Sequence, residues 1–150
     1  MQQDVTLRPA TEDDLDAIMA IESATFPTDA WNSDTMRREL SSRVNRYYVV
    51  ESAGEVIAYG GSRIVGCDAD VQTIAVAAGF RGRGLGRRVM EQLIEAARDE
   101  GALQMFLEVR ADNPAAISLY ESLDFEQIDV RAGYYQPEGV DAIVMMKEPV

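Results

Sequence analysis

Six residues, Arg81-Gly82-Arg83-Gly84-Leu85-Gly86, constrain this chain more than any others. A β-like run, Val71 to Val76, precedes them, and a strongly periodic helical run, Leu85 to Ala97, follows. Three glycines let the backbone turn tightly and let its N–H groups approach a ligand without obstruction from Cβ. A helix starting here adds unsatisfied N–H groups and the positive end of its dipole. The result is an anion site of the kind that takes a phosphate or pyrophosphate, with Arg81 and Arg83 adding charge. The bland alternative is a glycine-rich turn with solvated arginines. Two other phosphate motifs fail. A P-loop ends in Gly-Lys-Ser/Thr, and here Gly86 is followed by Arg87. A dinucleotide fingerprint belongs in the first βαβ unit, and this loop lies past the middle of the chain.

The rest of the sequence sorts into one mixed domain, residues 1–150, with no repeat, linker or low-complexity segment. Val5 to Arg8 reads as a strand. Thr11-Glu12-Asp13-Asp14 opens a helix, with Thr11 as cap and the acids at its N-terminus. Phe26 to Asn32 is a loop, and Ser33 to Leu40 a second helix. Tyr47 to Ser52 and Val56 to Val65 form a hairpin about Ala53-Gly54-Glu55, and Asp68 to Val76 is the next strand. The helix from Leu85 carries Leu85, Val89, Leu93 and Ala96/Ala97 on one face and stops at Gly101. Leu103 to Val109 alternates: Leu103, Met105, Leu107 and Val109 on one side, Gln104, Phe106, Glu108 and Arg110 on the other. Asn113-Pro114 starts a helix whose buried stripe is Ala116, Leu119, Tyr120 and Leu123. Strands near Glu126 to Gly133 and Asp141 to Lys147 close the chain around the loop Tyr134 to Gly139. The order β-α-α-β-β-β-α-β-α-β-β predicts one central mixed sheet with helices on both faces.

Composition narrows the chemistry. There is no histidine, so Ser-His and Cys-His nucleophile systems and histidine-ligated metals are excluded. Any general base is Asp, Glu, Lys, Tyr or a water held by one of these. The one cysteine, Cys67, reads as an ordinary strand-end residue, and no internal disulfide can form. A formal net charge of −12 disfavours nucleic acid as a partner and suits a cationic substrate, although acidity also serves solubility alone. No apolar run approaches the roughly 20 residues of a membrane span, and Met1-Gln2-Gln3-Asp4 lacks a signal-peptide pattern. The expected setting is the cytoplasm.

Downstream of the glycine loop stand Leu107-Glu108-Val109-Arg110, Asn113, and Ala116-Ile117-Ser118-Leu119-Tyr120-Glu121. With Thr73-Ile74-Ala75-Val76 before the loop, they resemble the GNAT family of acetyl-CoA-dependent N-acetyltransferases. That family's Gln/Arg-x-x-Gly-x-Gly/Ala pattern is matched by Arg81, Gly84 and Gly86. The resemblance implies a mostly antiparallel mixed sheet of about seven strands and about four helices. Phe106 to Phe125, and Arg131-Ala-Gly-Tyr-Tyr-Gln-Pro followed by Asp141-Ala142, further resemble its ribosomal-protein-alanine N-acetyltransferase (RimI-like) branch. Two departures stand out. Asp124 replaces a helix-ending glycine, a left-handed position that Asp tolerates better than most residues. The Phe26 to Trp31 loop is longer.

The resemblance implies roles. Ile74 and Val76, with Ala75 between them, hold pantetheine through the backbone of a strand that splays from its neighbour. The Val76 N–H is a candidate for the oxyanion. Amides from Arg81 through Gly82, Arg83, Gly84 and Leu85 to Gly86 hold the pyrophosphate. Glu108, sharing its face with Phe106, is the candidate base; the competing reading is an ion pair with Arg110 or another nearby arginine. Tyr120 is the candidate acid, against a core aromatic. Asn113 caps its helix and contacts the cofactor. Tyr134 and Tyr135 lie over the acceptor site and Trp31 walls it, each against simple packing. Glu22, Asp29 and Asp141 are candidates to attract a cationic peptide, Asp141 foremost. No metal is implied.

An α-amino group with pKa about 8 deprotonates roughly 3 kcal/mol more easily at pH 7 than lysine at about 10.4, so an N-terminal acceptor suits a carboxylate base. The expectation is a monomer acetylating a basic peptide that begins with a small residue, Ala first, as in a small-subunit ribosomal protein. Acetylation of a polyamine, an aminoglycoside or a lysine side chain, and a non-catalytic acetyl-CoA-binding module, are the alternatives.

Overall fold

Two-residue turns fold the middle of the chain on itself. Ala53 and Gly54, both at positive φ (52° and 79°), give the turn whose twist matches a hairpin, and Gly66-Cys67 makes the next. The structure, a computed structural model, describes residues 4–28 and 30–150. Its elements are β1 (Thr6–Pro9), α1 (Leu15–Thr25), α2 (Ser33–Ser41), β2 (Asn45–Ser52), β3 (Glu55–Val65), β4 (Asp68–Val76), α3 (Leu85–Asp99), β5 (Gln104–Arg110), α4 (Pro114–Ser122), β6 (Glu126–Tyr135) and β7 (Val140–Lys147). This is the order expected from the sequence.

The seven strands form one sheet in the order β1-β2-β3-β4-β5-β7-β6. Every neighbouring pair is antiparallel except β4 and β5. Helices cover both faces. On one, α1 and α2 bury Ile18, Ile21 and Met36 against Tyr47, Val49, Tyr59 and Ala75. On the other, α3 buries Leu85, Val89, Met90, Leu93, Ile94 and Ala97 against Val50, Ile57, Ala58, Met105 and Leu107. Alternation along the strands divides the clusters: Val49 and Tyr59 point one way, Val50 and Ala58 the other.

The 3-10 turn Glu12–Asp14 that leads into α1, and the ends of α4, carry the expected chemistry. Thr11 Oγ1 accepts from the Asp13 amide at 3.3 Å, and Asp14 Oδ2 accepts from the Thr11 amide at 2.8 Å, a closed capping box. Asn113 Oδ1 accepts from the Ala116 amide at 3.2 Å, with Pro114 in the first turn. Asp124 takes the left-handed conformation (φ 71°), and the Phe125 amide bonds back to the Tyr120 carbonyl at 3.0 Å.

Three expectations need correction. Leu103 is 59% exposed and precedes β5, because its amide and that of Gln104 both turn back to the Cys67 carbonyl. Tyr134 and Tyr135 end β6 instead of opening a loop: a bulge between Arg131 and Tyr135, with Gly133 at φ 60°, lets pairing resume at Tyr135–Val140. Of the stripe on α4, only Tyr120 is fully buried, while Ala116, Leu119 and Leu123 are half-buried.

Candidate active site

The parallel pair β4–β5 is joined at only three positions, Asp68–Gln104, Ala69–Met105 and Asp70–Phe106. Beyond them the strands part. On its other side β4 stays paired with β3 as far as Val76. The backbone groups of residues 71–76 that point toward β5 therefore have no strand partner. A cleft of about 760 Å³ opens between the two arms.

Both arms, α4, β6 and the segment that follows α1 supply its walls. Ile74 and Thr73 come from β4, Phe106 and Glu108 from β5, and Asn113 and Tyr120 from α4. Trp31 and Phe26 close one side, and Arg131, Tyr134 and Tyr135 the other. Eight of the candidate residues singled out in the sequence thus share one cavity: Glu22, Trp31, Ile74, Glu108, Asn113, Tyr120, Tyr134 and Tyr135. Ala75 instead packs its side chain under α1, and Val76 packs against the α3 side.

Glu108 stands 3.6 Å from the Arg131 guanidinium, which also lies 5.4 Å over the Tyr134 ring. The expected arginine neighbour exists, and it is Arg131. Arg110 serves elsewhere, bonding Asp112 and Glu138 and stacking on Tyr135 at 5.1 Å. Tyr120 is 7% exposed and meets Phe125 edge-on at 6.2 Å. Burial pushes its phenol up to about 12, so it stays protonated at neutral pH.

At the far end of β4 the glycine loop leads into α3. Gly82 and Gly84 adopt φ of 78° and 77°, with open space where a Cβ would stand. Gly84 precedes the helix without a side-chain cap, and the first helical bond runs from the Arg88 amide to the Gly84 carbonyl at 3.1 Å. The amides of Leu85, Gly86 and Arg87 are the unpaired donors of a helix N-terminus. Arg81 and Arg83 hold the loop as well as charging it. Arg81 Nε donates to the Val76 carbonyl at 3.1 Å, and Arg83 covers Phe80 at 5.1 Å. Arg87 reaches Ser122 Oγ on α4. A strand with unpaired peptide groups leading to bare helix amides fits a ligand that has an amide-bearing arm and a pyrophosphate, which is the composition of coenzyme A.

Two acidic candidates have other occupations. Asp141 Oδ1 accepts from the Gly133 amide at 2.8 Å and fixes the β6 bulge, outside the walls of the cleft. Glu22 is 2% exposed; it accepts from the Trp31 amide, Thr73 Oγ1 and Tyr59 OH. Asp29 lies outside the described residues. The sequence reading missed Asp70 and Arg131. Asp70 lines the cleft from β4, and its carboxyl is raised above the usual range, by desolvation first and Asp68 second. Its place on the outward-alternating side of β4 was the available signal. Arg131 stands in the Arg131-x-x-Tyr134-Tyr135 segment of the resemblance, but its pairing with Glu108 was not legible, because the two are 23 residues apart on different strands.

The acetyltransferase (GNAT) family model matches residues 15–125. The chain is 35% identical over 149 residues to the N-alpha-acetyltransferase RimI of Mycobacterium tuberculosis, covering 96% of this chain and 92% of that one. An uncharacterised Mycobacterium leprae protein, ML0378, is 38% identical over 148 residues, and the chain spans 40% of its length. The crystal structure of the ribosomal-protein-S18-alanine N-acetyltransferase from Escherichia coli superposes with a TM-score of 0.88 at 30% identity, covering 97% of this chain and 94% of that one. Parted strands, glycine loop and sequence agree: the chain belongs to the acetyltransferase (GNAT) family and is an acetyl-CoA-dependent N-acetyltransferase.

Proposed function

We propose that this enzyme acetylates the α-amino group of a protein N-terminus that begins with a small residue, alanine foremost, as on a small-subunit ribosomal protein. One observation carries the reading: a carboxylate and a protonated phenol, Glu108 and Tyr120, face the same cleft beside unpaired backbone of β4. The relatives named for N-terminal and ribosomal-protein-alanine acetylation support the choice of acceptor.

Acetyl-CoA, the second substrate, supplies an acetyl group on a thioester. The β4 backbone from Ile74 to Val76 holds the pantetheine arm, and the amides of Arg81 to Gly86 hold the pyrophosphate. The Val76 N–H faces the carbonyl oxygen as charge gathers there. Glu108, directly or through one water, takes a proton from the acceptor ammonium so that neutral nitrogen attacks. The N–C bond forms as the C–S bond breaks, and Tyr120 gives its proton to the departing sulfur. The second proton, shed by the acylated nitrogen, returns to the Tyr120 oxygen, while Glu108 releases the first to solvent. Asn113 keeps α4, and so Tyr120, in place. Trp31, Tyr134 and Tyr135 border the acceptor's path.

The test uses acetyl-CoA and one basic peptide that starts with Ala and carries an internal Lys, with tandem mass spectrometry locating the acetyl group. Acetyl on the N-terminus is expected. Acetyl on Lys alone overturns the α-amino reading and leaves the family intact.

A further inference from the structure

Glu22 is the most buried charged side chain among the described residues, at 2% exposed, and no cation pairs with it there. A lone buried carboxylate is costly unless hydrogen bonds satisfy it. Three donors do so, and each comes from a different element. Oε2 accepts from the Trp31 amide at 3.1 Å, in the segment between α1 and α2. Oε1 accepts from Thr73 Oγ1 on β4 at 3.1 Å and from Tyr59 OH on β3. Burial and the Glu22 charge hold the Tyr59 phenol well above its ordinary range, so it remains a donor. Thr73 adjoins Ile74 within the parted stretch of β4, and Trp31 stands on the acceptor side of the same cleft. One carboxylate therefore spans the cleft wall from the donor-holding strand to the acceptor-side aromatic.

We propose that Glu22 is a positioning residue: through the Trp31 amide it sets where the acceptor-side wall stands relative to β4, and so sets the affinity for the acceptor amine. This rests on reading that side of the cleft as the acceptor site. It assigns Glu22 a geometric role in place of long-range attraction of a cation. The two roles separate chemically. A glutamine keeps the length, turns its oxygen to the Trp31 N–H, and donates from its nitrogen to the Tyr59 and Thr73 hydroxyls, which can accept. An aspartate keeps the charge and is one methylene too short to reach all three donors.

The experiment compares E22Q and E22D with the wild type by acceptor KM, acetyl-CoA KM, and the fluorescence of Trp31, the only tryptophan in the chain. E22Q is expected to stay within about twofold of wild type in both KM values, with unchanged emission. E22D is expected to raise acceptor KM about tenfold, as misplacing a positioning group does, with acetyl-CoA KM held within about twofold. Its Trp31 emission should move to the red and quench more readily with acrylamide. The reverse pattern, E22Q impaired and E22D normal, overturns the proposal in favour of charge. So does an E22D defect with unchanged emission, or a pair of variants that lose only thermal stability. Wild-type transfer to Lys and not to the peptide N-terminus sinks the α-amino reading alone. The comparison then runs with the lysine acceptor, and the emission arm needs no acceptor.

Discussion

Glu108 and Tyr120 have opposite surroundings, and the difference suits their proposed roles. Glu108 is partly exposed at the cleft and shares the field of Arg131 at 3.6 Å, so a carboxylate that must accept a proton is kept hydrated and reachable. E108Q preserves shape and hydrogen bonding and removes the base. It should lower kcat by about a hundredfold or more, the range of general-base catalysis, with acetyl-CoA KM changed little. Steady-state kinetics on the Ala-initiated peptide checks this, and undiminished turnover removes Glu108 from the mechanism. Tyr120 is enclosed, and burial pushes its hydroxyl up to about 12. A neutral phenol persists below that value and is lost only above it. The ratio of wild-type to Y120F kcat should therefore be large and flat from pH 7 to 10. A ratio that falls as pH approaches 10 would reveal an ordinary phenol, and a ratio near one throughout would show a different proton donor.

At the level of elements, the N-terminus of α1 shows what sequence reading captures and what it leaves out. Thr11 and the acids after it announce a capped start. Nothing local announces that Asp14, itself buried, also takes two bonds from Arg8 of β1 at 2.9 Å each, while Arg8 reaches Glu51 on β2 at 3.3 Å. The Arg8 guanidinium first, then the Thr11 amide, hold the Asp14 carboxyl below its usual range against the opposing effect of burial. A depressed carboxyl stabilises the fold above its unfolded pKa of about 3.9 and loses that contribution as pH falls through the folded value. D14N should therefore cost about 1–3 kcal/mol at pH 7, roughly 2–12 °C in Tm. Thermal melts should show the gap to wild type closing below pH 4; a gap independent of pH points to lost packing instead of lost charge. The same division runs along the chain. Gly101, Asn113-Pro114 and Asp124 act through their own backbone or nearest amides, so they fix ends that a reader of the sequence can place. Tyr134 and Tyr135 are set by a bulge that depends on Gly133 and Asp141 eight residues apart on two strands. The roles of Glu22 and Arg131 depend on partners brought together only by the sheet.

The molecule as a whole is a sheet divided by one incomplete joint. β1 to β4 form one half and β5, β7 and β6 the other, and three paired positions between β4 and β5 join them along the strands. Helix α3 packs mainly on the first half, against β2, β3 and β4, shares its apolar cluster with Met105 and Leu107 of β5, and reaches Ser122 of α4 through Arg87. A ligand lying in the cleft with its amide groups on β4 replaces the missing strand pairs and ties the halves together. Its free energy of binding then appears as folding stability. At a hundred times Kd, acetyl-CoA should add about 2.7 kcal/mol, or roughly 5–11 °C in Tm for a domain of this size. Hydrogen exchange distinguishes this bridging from attachment at the glycine loop alone. Slowed exchange is expected at alternate amides between Val71 and Val76 and, separately, at Leu85, Gly86 and Arg87. Protection of the α3 amides with β4 unchanged would place the thioester off the parted strand and remove Ile74 and Val76 from the proposed site.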